Sequence, residues 1–423
     1  MNSANRLGLA KALSLGIYLL PLMMMPSSSH AQGFGNVAAE WEITMADPDG
    51  FRQFSDMLLV PPREEILLFG DYQIDATVSR FVAQSESRVS RLTMRKLDRS
   101  GGMLWNTSFD FAATSPNSSV GMALMENGDV LVLGQVGQHR HGARQSTLAR
   151  LNQDGEIIWQ RRLGNKGDSP SKILNSPDGG FLIMGGRFPE EGSSRRFLYL
   201  VKLDSEGNYV GESVFDQFTG SRAWYGPEGD IRVIANRRGD GPVLLRVGSD
   251  GTKLGSVDLG RDPPSRRHRG SIHAAIRLEN GNILGLGGYI DLESRSDRKR
   301  NAFVRKVVMS PDGEIETDKY SQSDGVSAGF GSVVSLEDGR VVAVFLTSKE
   351  WGPDYNYELW LFSPEGTLES QIPLPTDAVV RAISPSSDGT VIIAGWHRES
   401  ETRVAGGQLR LDTRYFVRKM RIP

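Results

Sequence analysis

The chain has 423 residues, enough for two or three average domains or for one large all-β unit. Its 49 basic and 51 acidic side chains give a formal charge of -2, which excludes a global attraction to nucleic acid or to an anionic membrane. The lack of cysteine excludes disulfides, thiolate zinc sites, a cysteine nucleophile and a lipidated cysteine, and the 48 glycines indicate many tight turns.

The first 31 residues have the pattern of a signal peptide. Arg6 and Lys11 precede an apolar run at 13–25, and small residues follow it up to Ala31. A membrane anchor is the alternative, but the run is shorter than the ~20 residues of a spanning helix. We therefore expect export with cleavage after residue 31, a mature protein that is periplasmic or secreted, and no membrane span.

A hairpin pattern recurs along the rest of the chain. The segment LARLNQDGEIIWQRRLG at 148–164 consists of an alternating apolar strand, a short turn with glycine and a second alternating strand. Related segments occupy 93–109, 200–215, 244–260, 304–320 and 359–374. Such copies predict one repeat architecture rather than several unrelated domains.

A second hairpin pattern lies between these copies, with turns such as Asn127-Gly128 and Asp178-Gly179 that recur every 50 to 58 residues. Two hairpins per repeat make four antiparallel strands, which is the composition of a β-propeller blade. The segment AAEWEITM at 38–45 matches the last strand of a repeat, and the C-terminal copy lacks that strand. The sequence therefore predicts an all-β fold: one seven-bladed β-propeller over 32–423, whose last blade is completed by the N-terminal strand.

Tryptophan occupies one repeat position at Trp41, Trp105 and Trp159, and we expect these rings to pack between neighbouring blades. The strand-turn-strand RLNQDGEIIWQRRLG resembles the tryptophan-docking repeat of pyrroloquinoline-quinone-type bacterial propellers. The resemblance implies the fold and not the cofactor. Dehydrogenases of that superfamily usually carry a vicinal disulfide, which this chain cannot form, so no cofactor is expected.

Arginine-rich segments lie in the long loops, which the repeat register places on the face opposite the short turns; the last of these loops is predicted at 396–414. Arginine suits carboxylate, sulfate and phosphate groups. We therefore predict an anionic partner: an acidic glycan, another anionic envelope component or an acidic protein surface. Solvated loop charges are the alternative. The candidate ligand-binding residues are Arg140, Arg144, Arg195, Arg196, Arg237, Arg238, Arg266, Arg267, His268 and Arg269.

A candidate catalytic group lies on the predicted innermost strands, which line the central channel. It comprises His273, Tyr225 and Arg222. In β-elimination on a uronate sugar, arginine neutralises the carboxylate, His or Tyr removes the C5 proton, and Tyr protonates the leaving oxygen. The group is similar to propeller polysaccharide lyases in residue type alone. The alternative is that His273 and Tyr225 only pack.

Other catalytic and metal patterns are incomplete. His139 and His141 have no evident third ligand nearby, and no Gly-x-Ser-x-Gly segment occurs. The sequence therefore favours a monomeric, non-catalytic binding or scaffold protein without a metal site. A polysaccharide lyase or another glycan-active enzyme is the alternative function.

Overall fold

The computed structural model describes residues 39–45, 51–73, 90–109, 117–136, 145–165, 167–189, 195–237, 241–260, 269–290, 302–323, 327–348, 355–404 and 408–423. All of them belong to the compact unit 33–423. The predicted signal peptide at 1–31 lies outside the described residues. Within these ranges, no helix is long and apolar enough to cross a membrane.

The strands of the described ranges form groups of four, which we call blades. Blade 1 contains β2 (Phe51–Val60), β3 (Glu65–Gln73), β4 (Ser90–Leu97) and β5 (Met103–Phe109). Blade 2 contains β6 (Asn117–Leu124), β7 (Val130–Val136), β8 (Gln145–Leu151) and β9 (Ile157–Leu163). Blade 3 contains β10 (Asp168–Asn175), β11 (Phe181–Arg187), β12 (Phe197–Leu203) and β13 (Tyr209–Phe215). Blade 4 contains β14 (Phe218–Tyr225), β15 (Ile231–Arg237), β16 (Gly241–Val247) and β17 (Lys253–Asp258).

The remaining blades follow the same order. Blade 5 contains β18 (Arg269–Arg277), β19 (Ile283–Ile290), β20 (Ala302–Met309) and β21 (Ile315–Ser323). Blade 6 contains β22 (Ser327–Ser335), β23 (Val341–Ser348), β24 (Asn356–Phe362) and β25 (Leu368–Pro373). Blade 7 contains β26 (Ala378–Pro385), β27 (Thr390–Val404), β28 (Gln408–Arg421) and β1 (Ala39–Met45).

Each blade is an antiparallel sheet in which the first strand forms one edge and the fourth strand forms the other. First strands of neighbouring blades contact each other, as β2 does β6 and β26, and as β18 does β14 and β22. The first strands therefore surround a central channel. In the described part of the chain, the predicted seven-bladed β-propeller is confirmed.

Burial depends on the position of a strand within its blade. Every residue of β7, a second strand, is buried, whereas β9, a fourth strand, is mostly exposed or half-buried. A second strand is covered on both faces by neighbouring blades, which explains why its sequence is largely apolar. One hydrophobic cluster, for example, joins Leu131 of blade 2 to Ile183 of blade 3. The core therefore lies between the blades.

The tight turns need glycine because the backbone there is left-handed. Gly128 and Gly155 have φ angles of 83° and 82°, a conformation that costs little only without a Cβ. In the β8–β9 turn, Asn152 Oδ1 accepts hydrogen bonds from the backbone N–H groups of Asp154 and Glu156. The Asx-Gly pairs of the sequence thus specify the hairpins.

The outer tryptophans join neighbouring blades. Trp105 of β5 donates its Nε1–H to the Gln153 carbonyl oxygen of blade 2 at 2.9 Å. Its ring lies against Gly155, where an added Cβ would be 2.7 Å from the ring. Trp159 lies against Gly207 of blade 3 in the same way. The expected packing between blades is present at Trp105 and Trp159.

The N-terminal strand closes the ring. β1 pairs with β28, with Trp41 opposite Lys419 and Met45 opposite Tyr415. Arg418 forms an ion pair with Glu42. The chain therefore completes blade 7 from both of its ends, which confirms the predicted closure.

The loop predicted at 396–414 is mostly strand, so this expectation was wrong. β27 extends to Val404 and β28 starts at Gln408, and the two strands still pair beyond a bulge between Arg398 and Glu401. Continued pairing satisfies the backbone N–H and C=O groups that a long loop would leave to water.

Candidate channel site

In every blade, the pairing between the first and the second strand contains a bulge at the same place. At this bulge the register skips one residue of the first strand in six blades and two residues in blade 6, so that these residues have no partner on the second strand. The skipped residues are Ser55, Val120, Ser171, Ser221, His273, Gly331 with Ser332, and Arg381. The residues that follow them are Asp56, Gly121, Lys172, Arg222, Ala274, Val333 and Ala382. We call the skipped residues and the residues that follow them the bulge ring. Bulges redirect side chains, and here they do so at one level of the channel.

Arg222 links two blades that are not neighbours. Its Nη2 donates a hydrogen bond to the Gly331 carbonyl oxygen at 3.0 Å. Arg222 belongs to blade 4 and Gly331 to blade 6, so the side chain passes the intervening blade. Burial lowers the pKa of Arg222, although the guanidinium stays charged at any physiological pH.

Lys172 of blade 3 occupies the same bulge position as Arg222 of the neighbouring blade 4. Burial and the Arg222 charge both lower the pKa of Lys172, and the Asp56 charge opposes them. Two cations that influence each other in a partly desolvated channel repel, which makes an anion between them favourable.

Asp56 of blade 1 is held by two backbone groups. Its Oδ1 accepts the Met57 N–H at 2.9 Å, and its Oδ2 accepts the Met122 N–H of blade 2 at 2.8 Å. Burial raises the pKa of Asp56 to about 6, against the effect of these hydrogen bonds and of Lys172. The carboxylate is therefore oriented, mostly ionised at neutral pH, and costly to keep in this position.

His273 is the skipped residue of blade 5. Its Nδ1 is 3.0 Å from the position that a Cβ on Gly329 would occupy, so this glycine of blade 6 leaves room for the imidazole. Burial and the nearby Arg222 lower the pKa of His273. The ring is thus neutral at neutral pH, which is the form that can accept a proton, although the lowered pKa makes it a weaker base than a free imidazole.

Tyr225 lies further along β14, at the end that enters the turn to β15. Tyr225 lies three residues beyond Arg222 in the chain and pairs with Ile231 of β15. Burial raises the pKa of Tyr225, whose hydroxyl faces Ser176 and Asp178 of blade 3. Of the predicted catalytic residues, the structure brings Arg222 and His273 together and places Tyr225 nearer the turn.

Smaller contacts link the bulge ring to the strands of neighbouring blades. Ser55 and Ser119 share a hydrogen bond between blades 1 and 2. Ser332 Oγ donates to the Arg381 carbonyl oxygen at 3.4 Å, and the Arg381 guanidinium lies 4.9 Å from the centre of the Trp396 ring. The channel is therefore lined by hydroxyl and charged groups as well as apolar ones.

Three of the predicted loop arginines have described side chains. Arg196 Nη2 donates to Ser169 Oγ at 2.9 Å, and Arg237 Nη2 donates to Ser256 Oγ at 2.7 Å. Arg195 is exposed, with its guanidinium 5.1 Å from the centre of the Phe197 ring. The other predicted ligand-binding positions lie outside the described residues, or in the case of Arg269 have only their backbone described: Arg140, Arg144, Arg238, Arg266, Arg267, His268 and Arg269.

Asp56 and Lys172 were missed by the sequence analysis. Asp56 lies in the most divergent repeat, and Lys172 looks like an exposed charge in the segment SPSKILNS. A comparison of the first strands would have found them, because SD, SK and SR occur at equivalent positions in blades 1, 3 and 4.

The bulge ring suits recognition of a small charged group. It offers cations and a neutral imidazole on blades 3 to 5 and a carboxylate on blade 1. Among the described residues, no three His, Asp or Glu side chains are placed to hold a metal ion.

No protein-family model matches the chain, and no match is found among curated proteins. Solved structures match in fold. The polysaccharide lyase Uly1 is 10% identical with a TM-score of 0.49, over 94% of this chain and 95% of the lyase. The periplasmic gluconolactonase PpgL of Pseudomonas aeruginosa is 11% identical with a TM-score of 0.48, over 83% of this chain and 99% of that one. The α-L-arabinanase of Penicillium chrysogenum is 13% identical with a TM-score of 0.44, over 70% and 91%. These likenesses concern the fold alone.

Proposed function

We propose that this protein is an exported binding protein that holds an anionic ligand, an acidic glycan, in its central channel. The proposal rests chiefly on the Lys172 and Arg222 pair, two cations directed to one level of the channel and close enough to influence each other. Asp56 is the one carboxylate that influences Lys172. Export is proposed on the signal-peptide pattern of residues 1–31.

The chemistry of the pair favours a carboxylate or sulfate. A bound anion would remove the repulsion between Lys172 and Arg222 and accept charge-assisted hydrogen bonds from both. Desolvation strengthens these contacts, because the channel excludes part of the water that screens charges at the surface. A neutral ligand would leave both cations without this compensation.

The first test measures binding of oligogalacturonate by titration calorimetry. Arg222→Gln should weaken binding by about ten- to a hundredfold, the loss expected for a charge-assisted hydrogen bond. The matched control is the triple variant Arg266→Ser, Arg267→Ser, Arg269→Ser in the predicted ligand-binding loop. Unchanged binding in Arg222→Gln, with loss in the triple variant, would move the site from the channel to the loops.

Salt separates the same two sites independently. Exposed loop contacts weaken strongly as the Debye length falls from about 10 Å at 0.1 M to about 3 Å at 1 M salt, whereas partly buried contacts are screened less. We expect binding of oligogalacturonate to change only a few-fold over this range. A loss of several orders of magnitude would contradict the channel site.

A second function, β-elimination, is supported by His273 beside Arg222. The neutral imidazole would take the C5 proton of a uronate whose carboxylate Arg222 neutralises; the C4–O bond then breaks, a C4=C5 double bond forms, and the leaving oxygen gains a proton. The unsaturated product absorbs near ~235 nm. Absorbance that appears with pectate or alginate and is abolished by His273→Ala, with Tyr225→Phe as the comparison, would establish a lyase. If no uronate polymer yields this absorbance, the proposal of binding alone is favoured.

A further inference from the structure

We propose that Asp56 makes the channel site selective for hydroxylated carboxylates, such as a terminal uronate or aldonate unit, over simple anions. The inference rests on the proposed binding function and adds the part of the ligand that Asp56 contacts. It follows from three features of the bulge ring: the close approach of blades 1 and 3 at Gly121, unused acceptor capacity on Asp56, and the placement of the carboxylate and the cations on different blades.

The lack of a side chain at Gly121 allows Asp56 of blade 1 and Ile173 of blade 3 to approach each other across blade 2. A Cβ at this position would lie 3.2 Å from Asp56 Oδ2 and 3.6 Å from Ile173 Cγ2. The position is occupied by Asp56 in blade 1, Lys172 in blade 3 and Arg222 in blade 4. Glycine in blade 2 therefore lets the Asp56 carboxylate of blade 1 come close to β10 of blade 3, the strand that carries Lys172.

Asp56 has acceptor sites left for a ligand. An ionised carboxylate has about four lone-pair positions, and the N–H groups of Met57 and Met122 occupy one on each oxygen. The residue as a whole is half-buried. A carboxylate fixed in this way accepts hydroxyl hydrogens and repels anions.

The ligand must therefore carry two kinds of group. Its acidic group belongs with Lys172 and Arg222, and a hydroxyl group belongs with Asp56. Acetate has only the first group and glucose only the second, whereas glucuronate has both. Because buried polar groups left unpaired by a wrong ligand cost free energy, such a site rejects ligands that lack the hydroxyl.

The test compares D-glucuronate, acetate and D-glucose as probes of the wild-type chain by titration calorimetry at low salt. We expect glucuronate to bind at least tenfold more tightly than acetate, and glucose to bind more weakly than both. In Asp56→Asn the preference for glucuronate over acetate should fall to about twofold. The neutral amide repels acetate less than the carboxylate does, and it accepts weaker hydrogen bonds from the hydroxyl groups of glucuronate. A second variant, Gly121→Ala, should displace the Asp56 carboxylate, because the new methyl group would lie 3.2 Å from Asp56 Oδ2, and should reduce glucuronate binding more than acetate binding.

The outcomes distinguish this inference from the proposed function. If wild-type protein binds glucuronate and acetate equally, and Arg222→Gln weakens both, the anion site stands and the role of Asp56 is wrong. If neither acid binds, both proposals are wrong. If Asp56→Asn loses its cooperative thermal transition, Gly121→Ala decides alone: an unchanged ratio of the two affinities overturns the inference.

Discussion

At the scale of single residues, the channel groups are costly for the fold. Burial raises the pKa of Asp56 and lowers those of Lys172 and His273, so each is less stable in its charged form than it would be in water. Groups with such shifts cluster at functional sites, because apolar residues would serve packing better. Their concentration in one ring of bulges is consistent with selection for binding rather than stability.

The residue scale also shows where sequence reasoning fails. Gly128, Gly155 and the docked Trp105 were predictable, because a turn or a repeat position leaves a local signal. Asp56 and Lys172 leave no signal within a single strand, because a bulge shifts the pairing by one residue and alternation alone does not reveal it; only a comparison of the first strands does. The position of Tyr225 away from His273 likewise depends on how blades 3 and 4 pack, which no local pattern encodes.

Trp105 provides a test of the contact between blades. Trp105→Ala removes a half-buried ring and the hydrogen bond to Gln153, and should lower the free energy of unfolding by about 2 kcal/mol, less than the cost of a fully buried tryptophan. Trp105→Phe keeps a ring against Gly155 and should cost about 1 kcal/mol, the net value of one hydrogen bond. Urea unfolding of both variants checks whether Trp105→Ala lowers the free energy of unfolding more than Trp105→Phe does. Equal decreases in the two variants would contradict a contribution from the ring.

At the scale of elements, the contact of β1 with the rest of blade 7 depends on charge. His397 of β27 has its Nδ1 2.9 Å from Asp377 Oδ2 and its Nε2 3.6 Å from Glu42 Oε1. The His397 ring also packs on Phe416 of β28. Glu42 of β1 forms an ion pair with Arg418, which also lies on β28. These groups surround the imidazole at the seam where the N-terminal strand joins the chain.

The pKa values of His397 and Glu42 at this seam are shifted in opposite directions. The hydrogen bond with Glu42, followed by the charge of Asp377, raises the pKa of His397 despite burial. Burial tends to raise the pKa of Glu42, but the contacts with His397 and Arg418 outweigh it and lower that pKa. The Glu42 contribution is present above the unfolded pKa of about 4.3, and the His397 contribution is complete below about 6.5. The seam is therefore most stable between these values.

This window predicts a pH dependence of stability. As the pH rises through the raised pKa of His397, the imidazole loses its charge and its stabilising contribution disappears. Urea unfolding should therefore show a fall in stability between pH 6 and pH 8.5 that is smaller in His397→Gln. Asp377→Asn should give an intermediate slope, because Glu42 remains. Parallel curves for wild type and His397→Gln would rule out this linkage.

At the scale of the whole molecule, the architecture was predictable because it is repetitive. Each hairpin carries its own signal, and repetition multiplies it, so the blade number and the split of blade 7 between β1 and β28 followed from the sequence. The long β27–β28 hairpin did not, since its polar sequence resembles a loop and only the pairing of two distant segments makes it a sheet. Local repeats thus specify the ring, and contacts between blades specify where the side chains of the bulge ring lie.

Ring closure makes a final prediction. A chain that starts at residue 47 lacks β1, which exposes the edge of β28 and uncovers the cluster containing Met57 and Tyr415. Compared with a chain that starts at residue 32, it should lose its cooperative thermal transition and associate through the open edge. A synthetic peptide of residues 36–46 added in trans should restore the transition, whereas the same peptide with Trp41→Asp and Ile43→Asp should not, because both side chains pack against that cluster. A shortened chain that melts like the longer one would show that the ring is stable without its N-terminal strand.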